Sequence, residues 1–292
     1  MTEMFLKNIT VVDLTTRLPG PFATMILQNL GAKVVKFENA NIGGDPFKND
    51  DLKLNYFNDW YKNINKNKDI QIIDFIKDEK KLVDTIYQSD LVLINDSKYH
   101  RDLINKIPKS INTLIIAAGK NEFKNLHDIN ALALTETFKE HLKDSLNLPY
   151  LPFAGISFAQ QIATTAVSML LNAKMNDNSL CHTIYLKDST QLIFDSLKIK
   201  NHKHDQYLHT GKYPCYQLYE LKNNAIACLG AVEEKFWVNF ISVFELELDL
   251  NDRFDESGKV QEKIKNMFAN YNSFEIKEKI AGHELCLTLI HK

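Results

Sequence analysis

The sequence predicts an α/β fold, in which a doubly wound, Rossmann-like parallel sheet forms a large domain and a smaller α+β domain follows it. Short apolar segments rich in β-branched residues alternate with helical patterns along the chain. A strand over residues 9–14, a helix over 22–30 and a strand over 32–38 form a first β-α-β unit. Strands joined by such helical crossovers run parallel, so the first domain should contain a parallel sheet.

The same alternation continues to residue 197. The turn Leu18-Pro-Gly-Pro21 separates the first strand from its helix, and Gly31 stands where a helix C-cap belongs. Further strands are predicted over residues 69–75, 90–95, 113–118 and 181–186, and further helices over 78–88, 153–173 and 188–197. Residues 1–198 are therefore predicted to form the large domain.

Residues 199–270 are predicted to be a linker and a small domain. The polar segment 201–206 has no periodic pattern and is typical of a linker. A hairpin is predicted around Asn223-Asn224, and helices are predicted over 233–244 and 259–269. The small domain therefore mixes strands and helices.

Composition excludes several classes of protein. With 292 residues, 45% of them hydrophobic and 25% charged, the chain is typical of a globular protein. A net charge of -2 with dispersed lysines argues against a nucleic-acid partner. The four cysteines are too widely spaced for a CxxC metal or redox motif, and no signal peptide is recognisable, so we expect a reducing, cytoplasmic location. The most apolar stretch, 158–171, contains polar residues and is expected to be a core helix, with no membrane span.

Several motifs resemble the family III CoA transferases, a family that includes α-methylacyl-CoA racemases and L-carnitine dehydratase-type proteins. The first is VVDLTTRLPGPFATMILQNLGAKVVKFEN at 11–39, followed by GGDP at 43–46. Three later stretches agree in order: NINKNKDIQIID at 63–74, LHDINALAL at 126–134 and GKYPCYQLYELKNNAIACLGAVEEKFW at 211–237. The last two are most similar to the racemase branch.

The resemblance implies an interlocked homodimer that binds coenzyme A, as a CoA thioester, on the large domain, with no metal ion. It also implies that relatives continue beyond His291-Lys292 with a segment that returns to the large domain. Residues 271–292 are therefore expected to be a truncated form of that return segment.

The resemblance points to three catalytic candidates. Proton transfer next to a thioester carbonyl needs an acid and a base, and CoA transfer needs a nucleophilic carboxylate. His127 matches the acid/base histidine of the racemases, and Asp128 follows it directly. The alternative is that both residues orient a loop entering a helix. Glu233 matches an active-site glutamate, and the alternative is a helix-start acid favoured by the macrodipole.

The catalytic aspartate of the family is replaced. Pro152 occupies its place before Phe153-Ala-Gly155, and proline can neither accept a proton nor attack a thioester. Asp128 or Glu233 would have to substitute. The sequence therefore allows a divergent acyl-CoA enzyme or a non-catalytic CoA-binding homologue. A nucleotide-dependent oxidoreductase is disfavoured, because no GxGxxG follows the first strand.

Four residues in the matching motifs are predicted to bind CoA phosphates or adenosine: Arg17, Lys36, Asn67 and Lys68. The alternative is that such lysines are solvated surface residues. After the strand at 90–95, the family's Arg-Pro-Gly turn is replaced by Ser97-Lys98-Tyr99, which removes a bidentate donor and a tight glycine turn.

Overall fold

The computed structural model describes residues 4–48, 54, 56–98, 100–142, 149–198 and 208–291. It divides the chain into two compact units, Met1–Lys198 (unit 1) and Ile199–Lys292 (unit 2). The predicted linker segment 201–206 and Tyr99 lie outside the described residues.

Unit 1 contains a six-stranded, entirely parallel sheet with the strand order β3-β2-β1-β4-β5-β6. Its strands are β1 (Thr10–Leu14), β2 (Lys33–Asn39), β3 (Asp69–Ile73), β4 (Leu91–Asn95), β5 (Asn112–Ala117) and β6 (Cys181–Tyr185). In the centre of the sheet, Val12 pairs with Val35 of β2 and Val92 of β4. The predicted doubly wound α/β fold is confirmed.

The described residues of unit 1 form the four predicted helices and four further helices that were not predicted. They are α1 (Pro19–Asn29), α2 (Tyr56–Ile64), α3 (Glu79–Tyr87), α4 (Arg101–Lys106), α5 (Asp128–Ala133), α6 (Glu136–His141), α7 (Phe153–Asn176) and α8 (Leu186–Ser196). Helix α1 begins three residues before the predicted start, because the first turn of a helix accepts proline. Short 3-10 turns occur at Ala40–Ile42 and Asn121–Phe123.

The core of unit 1 is formed by parallel strands that are covered by helices on both faces. Val11, Val12 and Leu93 are completely buried, as expected for a near-continuous apolar run in a parallel strand. Among the described helices, α7 is long and apolar enough to cross a membrane by length and composition. Phe158 and Ile162 of α7 are nevertheless buried in the same cluster as the strands, so α7 is the core helix that the sequence predicts.

The described part of unit 2, residues 208–291, contains a three-stranded antiparallel sheet and three helices. The strands are β7 (Tyr216–Glu220), β8 (Ile226–Gly230) and β9 (Leu287–Ile290), and the helices are α9 (Glu234–Val243), α10 (Lys259–Phe268) and α11 (Ser273–Ile280). Short 3-10 turns occur at Leu208–Thr210 and Asn251–Phe254. The core is aromatic, and Trp237 is completely buried with its indole N–H donating to the Asp249 carbonyl at 2.8 Å.

The C-terminal segment differs from the expected return segment. Strand β9 pairs with β8, and Leu289 lies opposite Ala227 in the register. Partly buried Leu287 and Leu289 pack against the core of unit 2. These residues therefore complete the small sheet of their own unit, because their apolar side chains are needed to cover its core.

Candidate functional site

The strand order of unit 1 creates a switch point between β1 and β4. In open α/β sheets, ligands bind outside the carboxyl ends of the strands at such a point. The loop after β1 begins with Thr15 and Thr16, and β4 ends at Asn95. The Asn95 side-chain oxygen accepts the Thr16 backbone N–H at 2.9 Å, which ties the two strand ends together.

Four charged side chains with no solvent exposure lie beneath this edge. Lys68 Nζ is 3.3 Å from Asp13 Oδ2, and Lys36 Nζ is 3.5 Å from Asp45 Oδ2. A buried charge is tolerated only when it is paired and hydrogen-bonded. The four residues Asp13, Lys36, Asp45 and Lys68 are called the buried charge network below.

Asp13 organises the start of the β1–α1 loop. Its carboxylate accepts the Thr15 N–H at 2.9 Å, the Thr15 hydroxyl at 2.5 Å and the Thr24 hydroxyl at 2.6 Å. Burial alone would raise the pKa of Asp13, but the charges of Lys36 and Lys68 and the two hydroxyls outweigh it and lower the pKa to about 2. Asp13 is therefore ionised at neutral pH.

Lys68 connects Asp13 to two further segments. Its ammonium group donates to the Pro21 carbonyl at 2.7 Å, to the Thr24 hydroxyl at 2.7 Å and to the Asn65 side-chain oxygen at 2.9 Å. Burial lowers the pKa of Lys68 to about 8, against the opposing effect of Asp13. The lysine thus joins β1 and the first turns of α1 to the segment before β3.

The predicted CoA-binding residues fall into two groups. The side chains of Lys36 and Lys68 are completely buried and make internal contacts, which differs from the surface position that a direct phosphate contact requires. Arg17 and Asn67 are exposed, and both have left-handed backbones, with φ of 66° and 69°. The Asn67 carbonyl accepts the Gln28 side-chain N–H at 2.7 Å.

Acid should destabilise unit 1 partly through Asp13. Its pKa rises from about 2 in the folded state to the ordinary 3.8 on unfolding, so its stabilising contribution is complete above about pH 4 and is lost as pH falls towards 2. We expect Asp13→Asn to abolish this contribution of about 2 kcal/mol. Urea unfolding between pH 7 and 2 should therefore show the free-energy difference between the two proteins shrinking below pH 4. A difference that stays constant with pH would contradict this assignment.

Asp128 joins α5 to the start of α7. Its Oδ1 accepts the Gly155 N–H at 2.7 Å, and the carboxylate also accepts the Ala154 N–H. Pro152 is the N-cap residue of α7, so a carboxylate from another helix occupies the anion position that a helix start offers. Burial raises the pKa of the half-buried Asp128, against the effect of the two N–H donors.

The start of α7 also touches the β1–α1 loop. A Cβ atom at Gly155 would lie 3.0 Å from Leu18 Cδ2 and 3.6 Å from Asp128 Oδ1. A larger residue at this position would require the Leu18 side chain to move. Asp128, Leu18 and the first turn of α7 therefore form one local cluster near the carboxyl edge.

His127 and Glu233 are both exposed helix-capping positions. His127 precedes α5, and its backbone N–H donates to the Asn130 side-chain oxygen at 3.1 Å. Consecutive helix-start residues do not face one another, and the structure records no hydrogen bond between His127 and Asp128. Glu233 lies in unit 2, where its carbonyl accepts the N–H groups of Phe236 and Trp237. Of the three catalytic candidates, His127 and Asp128 are therefore neighbours in the chain of unit 1, and Glu233 belongs to unit 2.

Sequence reasoning missed Asp13 and Asp45 as site residues. Both lie inside the quoted motifs, yet no role was predicted for either. The available signal was a charged residue within an apolar parallel strand, as in the VVDL stretch of β1. Within the described ranges, no group of three or more His, Cys, Asp or Glu side chains could hold a metal ion.

Comparisons with known proteins identify similar chains. The model of CoA-transferase family III matches residues 6–101. A CaiB/baiF CoA-transferase family protein of Caenorhabditis elegans is 25% identical over 312 aligned positions, which cover 97% of this chain and 85% of that protein. The mouse succinyl-CoA:glutarate CoA-transferase is 38% identical over 63 residues, 22% of this chain and 14% of that protein.

Solved structures share the fold. A hypothetical protein from Mycobacterium tuberculosis has a TM-score of 0.71 at 14% identity, with 98% of this chain and 84% of that chain covered. A CAIB/BAIF family protein from Brucella suis has a TM-score of 0.72 at 14% identity, with 96% and 82% covered. At this identity, the likeness concerns the fold alone.

Proposed function

Because the chain belongs to the family III CoA transferases, we propose that it acts on CoA thioesters by proton transfer at the carbon next to the thioester carbonyl. The observation that carries the proposal is the half-buried carboxylate of Asp128, held at the start of α7 beside Leu18. A positioned carboxylate is what this chemistry requires, and Pro152 does not supply one.

The CoA portion is proposed to bind at the carboxyl edge of the parallel sheet, with Arg17 and Asn67 meeting its anionic or adenosine parts. Nucleotide-binding folds of this type often hold phosphate on the backbone N–H groups at the first helix start. Here Pro19 and Pro21 both lack an N–H in that turn. Side chains are therefore proposed to supply most of the phosphate contacts, while Lys36 and Lys68 support the loops from inside.

In the proposed reaction, Asp128 removes the proton next to the thioester carbonyl. A pKa raised by burial makes its carboxylate a stronger base than an exposed aspartate. His127 supplies the second acid/base group, and it is exposed next to Asp128 in the chain. A cytoplasmic homodimer with no nucleic-acid or membrane partner completes the proposal.

Deuterium exchange tests the proposal. A 2-methylacyl-CoA is incubated with the protein in D2O, and loss of the α-proton signal is followed by proton NMR. We expect exchange with the wild type and a decrease of about a hundredfold or more with His127→Ala, because general acid–base groups contribute at least that factor. His182→Ala removes an exposed histidine on β6 and is the control. Exchange that does not depend on His127 would contradict its proposed role.

A second candidate function is a CoA-binding protein without catalysis. The observation that favours it is that Pro152, which has no acid, base or nucleophile, stands at the N-cap of α7, while Asp128 accepts the Gly155 and Ala154 N–H groups. In the NMR experiment, such a protein would broaden the ligand signals without exchanging the α-proton. Exchange by the wild type would exclude this candidate.

A further inference from the structure

We propose that Asp45 is a positioning residue, which holds Arg17 in a left-handed backbone conformation and so presents the Arg17 guanidinium to an anionic group of the ligand. The inference rests on the proposed function, since it takes the ligand to be a CoA thioester at the carboxyl edge. Asp45 belongs to the buried charge network and takes no part in the proposed proton transfer. The inference gives it a positioning role.

The first step is the backbone of Arg17. Its φ of 66° lies in the left-handed region, which costs an L-residue with a side chain roughly 1 kcal/mol. Glycine would adopt this conformation without that cost. An arginine in this conformation persists only when the surrounding structure holds it there.

The second step is what holds the strained residue. The Arg17 N–H donates to both carboxylate oxygens of Asp45, each at 3.1 Å. Asp45 also accepts the Phe47 N–H at 3.0 Å and is completely buried. Arg17 is thus held by a carboxylate that the surrounding protein fixes in place and that does not contact solvent.

The third step is what holds Asp45. Lys36 pairs with Asp45 at 3.5 Å and donates to the Thr15 carbonyl at 2.5 Å, two residues before Arg17. One lysine on β2 therefore fixes the loop at Thr15 and, through Asp45, at Arg17. Burial raises the pKa of Asp45 even beside Lys36.

Stability alone does not account for this arrangement. A buried ion pair is often no more stabilising than apolar residues of similar volume. What the Lys36–Asp45 pair achieves is a defined position for Arg17, one of three arginines in the chain. Arginine suits phosphate and carboxylate recognition because its planar group donates two parallel hydrogen bonds.

A double-mutant cycle in ligand affinity tests the proposal. Acetyl-CoA binding is measured by isothermal titration calorimetry for the wild type, Asp45→Asn, Arg17→Ala and the double variant. Asparagine at position 45 loses the ion pair with Lys36 and offers one accepting oxygen in place of two to the Arg17 and Phe47 N–H groups. We therefore expect each single variant to bind about tenfold more weakly and the double variant to bind no more weakly than Arg17→Ala. Asp59→Asn, an exposed aspartate of α2, is the control and should bind like the wild type. If Asp45→Asn does not fold, the double variant Lys36→Met/Asp45→Asn is used in its place. This double variant leaves no buried lysine without its partner.

Two outcomes of the titration overturn the inference. If the affinity losses of the two single variants add up in the double variant, Asp45 affects binding independently of Arg17. If Asp45→Asn binds acetyl-CoA like the wild type, Asp45 does not position Arg17 for binding. If the wild type binds no acetyl-CoA, the proposed function fails, and hydrogen exchange of the Arg17 amide then decides on the positioning. Faster exchange in Asp45→Asn would support it, and unchanged exchange would overturn it.

Discussion

Asp128→Asn should slow α-proton exchange by about 10² to 10⁴-fold while unit 1 stays folded. The asparagine removes the basic oxygen but keeps a carbonyl oxygen that can accept the Gly155 N–H, now bonded at 2.7 Å. The helix cap therefore survives, and we expect a stability change within about 1 kcal/mol. The exchange rate is read by proton NMR in D2O, and the stability by thermal unfolding.

Two further variants sharpen this result. Asp188→Asn changes an exposed aspartate in the first turn of α8 and should leave exchange unaltered. Pro152→Asp in the Asp128→Asn background returns a carboxylate to the N-cap position of α7, where the family resemblance expects one. Recovery of exchange would support a carboxylate requirement at this helix start. Exchange at the wild-type rate in Asp128→Asn itself would remove Asp128 from the mechanism.

Lys68→Met should destabilise unit 1 by about 3 kcal/mol, as expected when one partner of a buried ion pair is removed. The methionine fills similar space but leaves the Asp13 charge with Lys36 as its remaining cation. It also leaves the Pro21 carbonyl and the Asn65 side-chain oxygen without the donor they now share. Urea unfolding at pH 7 measures the loss.

Two further variants test whether the loss of stability in Lys68→Met comes from the Asp13–Lys68 ion pair. Lys66→Met changes an exposed lysine two residues earlier and should alter stability by less than about 0.5 kcal/mol. Asp13→Asn/Lys68→Met removes both charges together and should be more stable than Lys68→Met alone, because no buried carboxylate is left without its nearer lysine. If the double variant were the less stable of the two, the electrostatic account of this pair would be wrong.

The fold of unit 1 could be predicted because its signals are local. Turn residues separate the apolar, β-branched segments that form β1, β4 and β5. Helix α7 is long enough for its hydrophobic period to be recognised. Helices α2, α4, α5 and α6 were not predicted. Helices α4, α5 and α6 have six residues each, fewer than two turns, so no hydrophobic period can be read from them. Helix α2 has nine residues, and its pattern was not recognised.

The site could be predicted only in part. The resemblance singled out His127 and Asp128, but the bond between Asp128 and Gly155 spans 27 residues and depends on how two helices pack. Lys36 and Lys68 were predicted to meet phosphates, because a sequence shows charge and not burial. For Lys36 a signal existed, since it lies within the apolar strand VVKFE of a sheet covered on both faces.

The buried charge network also constrains how unit 1 folds. Its members come from β1, β2, the segment before α2 and the segment before β3, and each charge is compensated only by a residue from another segment. A partly folded chain that has paired β1 with β2 but has not yet docked Lys68 would leave Asp13 without one of its two neighbouring lysines in a region that excludes water. Such intermediates are disfavoured, so we expect β1, β2 and the segments that carry Asp45 and Lys68 to gain or lose their structure together.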